Sequence, residues 1–83
     1  MESHDELLQA IGLAIERHLA ENEGAADSAE GIRAWWLSAR LRAVPLEHVI
    51  AALDRLEKHG VVAKRSVGVG FIYTAAKRDV TRH

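Results

Sequence analysis

The residues with the most chemistry to offer are basic. Arg33, Arg40, Arg42, Arg55, Lys58, Lys64 and Arg65 follow one another through the second half of the chain, with Lys77 and Arg78 beyond them. Guanidinium and ammonium groups in that number suit phosphate, which they hold by charge and hydrogen bonds without reading bases. Five histidines are present, His4, His18, His48, His59 and His83. No two of them have the i, i+4 spacing with a carboxylate that makes a zinc-binding helix, so neither a metal nor any other cofactor is implied. No nucleophile stands beside a base, no acid pair suggests proton transfer, and Gly68-x-Gly70 reads as a hairpin turn rather than a phosphate cradle. An enzyme is not the expectation. The adjacent pair Trp35 and Trp36 offers a different chemistry, because tryptophan is enriched where proteins anchor partners. Leu13 lies opposite the apolar stripe of its own helix, beside Ala10 and Arg17, and joins them as a candidate contact in a homodimer or with another protein.

The charge is unevenly placed. Residues 1–32 carry eight acids and one base, whereas residues 33–83 carry ten bases and four acids, within a net charge of −1. One surface can therefore attract phosphate while another repels it. With 83 residues, 48% of them hydrophobic, the chain has the composition of one folded domain. There is no cysteine, so disulfides and thiolate sites are excluded. The acidic start MESHDELLQAIG does not resemble a signal peptide, and no run approaches the roughly 20 apolar residues that span a bilayer. A cytoplasmic protein without a membrane partner is expected.

The elements that must position these groups follow from periodicity. Leu8, Ile11, Ile15 and Leu19 recur at threes and fours, predicting a first helix over about 5–21. A polar connector, 22–31, contains Asp27-x-x-Glu30, which has the form of a capping box. The segment RAWWLSARLR predicts a second helix over about 33–42, with Leu37 and Leu41 on one side. Pro45 suits the start of a third helix over about 45–59, where Leu46, Val49, Leu53 and Leu56 repeat and Gly60 caps the end. His18 is read as a packed side chain near the buried face of the first helix. The period then falls to two over 61–76, predicting strands at Val61–Ser66 and Phe71–Ala76 joined by a turn. A polar tail occupies 77–83. The expected core is Leu8, Ile11, Ile15, Leu19, Leu37, Leu41, Val49, Leu53, Leu56 and Val62, closed by Phe71 or Tyr73.

Helix, helix, turn, helix and hairpin is the order of a winged helix-turn-helix. The run Leu53 to Ala76 resembles the end of the recognition helix and the wing of MarR- and ArsR-type transcription regulators. Leu53, Leu56, Gly60, Val61 and Val62 fill the places of that family's Leu-x-x-Leu-x-x-x-Gly-Leu-Val. Leu37, Ser38 and Leu41 are similar to its helix before the turn, and Pro45 and Val49 to its turn proline and inward aliphatic. The resemblance implies an α+β winged-helix fold, three helices and a two-stranded hairpin, with a short third strand near Ile32 as a variant.

That resemblance also implies duplex DNA as partner and transcription regulation as function. The groove-facing positions of the third helix would be Glu47, His48 and Ala51, with Asp54, Arg55 and Lys58 on the same outward face. Base readers there are usually Arg, Lys, Asn, Gln, Ser or Thr. Weak sequence specificity, with most affinity from phosphate contacts, is therefore expected. The alternative is a winged-helix protein-interaction module that uses Trp35, Trp36 and the third helix.

Overall fold

The computed structural model describes residues 3–76; Lys77 and Arg78, named above, lie outside them. The chain is an α+β arrangement of three helical segments and a three-stranded antiparallel sheet. Helix α1, His4–Glu21, begins at a capping box in which Ser3 Oγ accepts from Glu6 N–H and the Glu6 carboxylate accepts from Ser3 N–H. Strand β1, Ala26–Asp27, follows, and α2 comprises an α-helical turn, Ala29–Gly31, continued by a π-helical run, Ile32–Trp36. Helix α3 is Leu46–Lys58, and strands β2 (Val62–Val67) and β3 (Gly70–Ala75) form the hairpin. No helix among the described residues is long and apolar enough to cross a membrane.

Helix α3 packs its stripe of Val49, Ala52, Leu53 and Leu56 against Leu8, Ile11 and Ile15 of α1. Beyond its last turn, Gly60 takes φ +76° and its N–H donates to Glu57 O, while Val61 N–H donates to Leu56 O. That pair of bonds satisfies carbonyls the helix end leaves open, and only glycine adopts the required φ cheaply. The hairpin turns through Gly68 and Val69, between the paired residues Val67 and Gly70. Gly68 has φ +60° and, among the described residues, no non-glycine residue has positive φ, which is the pattern of a type II′ turn.

Three expectations are corrected. The second helix does not run over 33–42: it starts at a Ser28 cap, whose Oγ accepts from Gly31 N–H, and stops when Leu37 turns extended. Leu37 and Leu41 are both buried, as their spacing predicts, but a turn joins them, with Ser38 O accepting from the N–H groups of Leu41 and Arg42. The third strand is Ala26–Asp27 rather than a segment at Ile32. It pairs with Thr74 and Tyr73, and Thr74 Oγ1 donates to Ala25 O. Asp27 is accordingly not the helix cap. Its carboxylate accepts from Ser28 N–H and lies against Gly31, where an added Cβ would collide with it.

The core also differs in detail. Ile32, Ala29 and Ala52 are buried although their part was not anticipated, whereas Leu19 is only half-buried. Tyr73, not Phe71, closes the hairpin side.

Candidate functional site

The predicted phosphate ligands fall into two groups. Arg33 and Arg42 are spent on the backbone: Arg33 Nη1 donates to Val44 O and Arg42 Nε to Leu37 O, each at 3.2 Å. These bonds brace the turn between α2 and α3, whose carbonyls have few helical partners. Arg55 reaches across to α1 and meets Asp5 at 2.6 Å. Both side chains are largely exposed, so the pair adds little stability. It does fix where the guanidinium points.

Arg40, Lys58, Lys64 and Arg65 are exposed. Lys64 pairs with Tyr73 and Arg65 with Ile72, so strand alternation sends the two cations to opposite faces of the hairpin. Lys64 Nζ sits 4.7 Å from the centroid of the Phe71 ring. The two wing cations therefore do not form one clamp.

On α3 the outward set is redistributed. Glu47 and Asp54 are exposed as expected. His48 instead turns toward α1, half-buried, its ring 4.9 Å from that of His4 in an edge-to-face contact. Ala51 is half-buried against the core. In their place the open side of α3 presents Ile50, 37% exposed, together with Glu57.

A crevice of about 190 Å³ lies between α2, α3 and the hairpin, lined by Ala29, Glu30, Leu46, Ile50, Phe71 and Tyr73 among others. Burial pushes the Tyr73 phenol above its ordinary 10.0, and the carboxylates of Asp54, Glu57 and Glu30 push it further. Acidic groups thus stand near this crevice, whose walls are largely apolar. Sequence reading missed it because Glu30, Asp54 and Tyr73 are brought together only by the fold. The one local signal was Ile50, an aliphatic residue at the edge of the apolar arc of α3.

Trp36, but not Trp35, lines a second groove, of about 430 Å³, between α1 and the segment after α2. Adjacent helical residues point in well-separated directions, so the two cannot share an environment. Trp36 is half-buried and stacks on His18, centroids 4.3 Å apart and planes 15° from parallel. Trp35 is 76% exposed and Leu13 63%. Arg17, Arg40 and Glu21 stand along the same groove as Leu13, Ala10 and Ala14. Among the described residues no group of three or more metal-ligating side chains converges. Comparison with protein families, with curated proteins and with solved structures gives no match to this chain.

Proposed function

We propose that this chain is a winged-helix interaction module that docks a basic protein segment in the crevice between α3 and the hairpin. The element order and the strand order β1-β3-β2 are compatible with a winged helix whose helix-turn-helix is α2, the following turn and α3. The observation that carries the functional reading is the chemistry of the face such a fold would turn toward DNA. It presents Glu47, Asp54, Glu57 and Ile50 beside Arg55 and Lys58, with Phe71 across the crevice.

Magnitudes favour a protein over a duplex. A carboxylate about 7 Å from a phosphate is repelled by about 0.6 kcal/mol in water and about 2.4 at an effective dielectric of about 20. Three such groups would act against the phosphate attraction that supplies non-specific DNA affinity. Lysine or arginine in a partner turns the same term favourable. An apolar side chain between Ile50 and Phe71 adds about 1.5–3 kcal/mol by burial.

DNA held through its phosphates is the second reading, favoured by the exposure of Lys58, Lys64 and Arg65. The test is an amide NMR titration with a labelled peptide that alternates Lys or Arg with Leu. Saturable shifts centred on Ile50, Phe71 and Tyr73 support docking. No shifts there, with shifts at Lys58 and Arg65 on adding a random duplex, would transfer the proposal to DNA.

A further inference from the structure

Strand β2 ends the sheet, and no described residue pairs with its outer edge. Two observations fix which of its backbone groups face that edge. Ala76 N–H donates to Val61 O, and Val67 pairs with Gly70 across the two-residue turn. Bonded and unbonded pairs alternate in an antiparallel ladder, so Ala63, Arg65 and Val67 direct their N–H and C=O groups to β3. Val62, Lys64 and Ser66 therefore aim theirs at the open side. Of the strand's six residues only Val62 is buried.

This edge also carries an unmatched charge pattern. Lys64 and Arg65 are adjacent, and strand alternation sends them to opposite faces. Their cross-strand neighbours on β3 are Tyr73 and Ile72, and β3 contains no acid. Neither cation forms an ion pair with any described residue.

We infer that the β2 edge takes an extended acidic segment of another protein, which adds a fourth strand and sets two adjacent carboxylates against Lys64 and Arg65. An added strand presents consecutive side chains on opposite faces, as β2 does, so each acid stands directly across from one cation. A partner helix has no such alternation. A phosphate backbone lying along one face of the hairpin meets only one of the two cations. Antiparallel pairing of two copies of β2 centred on Lys64 or on Arg65 sets like charges opposite each other, which is destabilising. Cations on an open edge exclude self-pairing in this way, and the same cations admit a strand of opposite charge. Backbone bonds then give affinity and the charge pairs give selectivity.

The two cations are not equivalent. Lys64 shares its face with Tyr73, on which Asp54 and Glu57 act, and it covers Phe71. The face of Arg65 holds Ala63, Val67, Ile72, Thr74 and Ala26, none of them acidic. Arg65 is thus the stronger partner for a carboxylate. No residue of β2 lines the crevice beside α3, so the inference does not rest on the docking reading.

Amide NMR on the whole labelled chain at low salt, titrated with the capped peptide Thr-Val-Glu-Glu-Val-Thr, tests it. Saturable shifts are expected, in which the amides of Lys64 and Ser66 move downfield and gain protection from exchange. Those of Ala63, Arg65 and Val67, already bonded within the hairpin, should change little. The isomer Thr-Glu-Val-Glu-Val-Thr, whose acids share one face of a strand, should bind more weakly. Arg65→Ala should weaken binding by about fivefold and Lys64→Ala by less. Lys64→Glu with Arg65→Glu should reject the acidic peptide and accept Thr-Val-Lys-Lys-Val-Thr, which also shows that the variant is folded. Absence of saturable shifts, shifts without the alternation, equal binding of the two isomers, or a charge swap that fails to exchange partners would each overturn the inference. So would a random duplex that shifts Lys64 and Arg65 when the peptide does not.

Discussion

The crevice beside α3 and the groove beside α1 are similar in being partly apolar, yet they differ in charge. The crevice has Glu30 in its wall, Asp54 and Glu57 near Tyr73, and Lys64 over its Phe71 ring. The groove mixes Arg17 and Arg40 with Glu21 around Leu13 and Trp36. A surface richer in acids favours a partner of the opposite sign. The two faces of one small core thereby differ in the charge they present, which neither the net charge of −1 nor the apolar content would reveal.

Both faces hang on the same buried residues, so the largest effect should come from the core. Leu53 is fully buried between α1 and α3. Leu53→Ala should cost about 2–5 kcal/mol in a denaturant melt and disable both faces together. A loss below about 0.5 kcal/mol would remove the shared scaffold from the comparison.

Changes on one face should separate the two. Ile50→Ala with Phe71→Ala should weaken the basic Leu-containing peptide by about a hundredfold, as expected for two apolar contacts of about 1.5 kcal/mol each. If the double variant leaves peptide binding intact, the crevice is not the docking face.

Tyr73, the chain's one tyrosine, reports on burial and charge at the crevice together. Its phenol is raised above 10.0, first by burial and then by Asp54, Glu57 and Glu30. The protonated fold is therefore favoured: the contribution is present below pH 10.0 and is lost as pH rises through the higher folded value. Absorbance titration of the tyrosinate should give a midpoint above 10.0, and Asp54→Asn with Glu57→Gln should bring it back toward that value. A midpoint at or below 10.0 in the parent would contradict an acidic crevice. The smallest effect belongs to Trp35, exposed beyond the groove. Trp35→Ala should alter stability by less than about 0.5 kcal/mol, measured in the same melt.

Much of the fold was legible because single elements announce themselves locally. The spacing of Leu8, Ile11 and Ile15 gives α1, that of Val49, Leu53 and Leu56 gives α3, and the glycines at 60 and 68 mark a cap and a turn. The segment from Ser28 to Val44 was misread for a physical reason. Leu37 and Leu41 stand four apart whether a helix or a turn connects them, and Gly31 disguises a helical start whose purpose is to make room for the Asp27 carboxylate. The candidate site was less legible still. Seven cations look equivalent along the sequence, but only the fold shows that Arg33 and Arg42 brace carbonyls, Arg55 pairs with Asp5 and Lys64 covers Phe71. The strand period does imply that Lys64 and Arg65 diverge, a signal that was present and outweighed by their adjacency.

The central claim is that the α3 face is built for a basic protein segment and not for DNA. The most direct measurement is a fluorescence anisotropy titration of a labelled random duplex with the whole chain at about 50 and about 200 mM salt, where phosphate-driven binding is strongly salt-dependent. The account predicts no saturable binding at micromolar protein, and its appearance only when Glu47→Gln, Asp54→Asn and Glu57→Gln are combined. Saturable binding by the parent that falls steeply with salt, and that Lys64→Ala with Arg65→Ala weakens for every duplex alike, would contradict it.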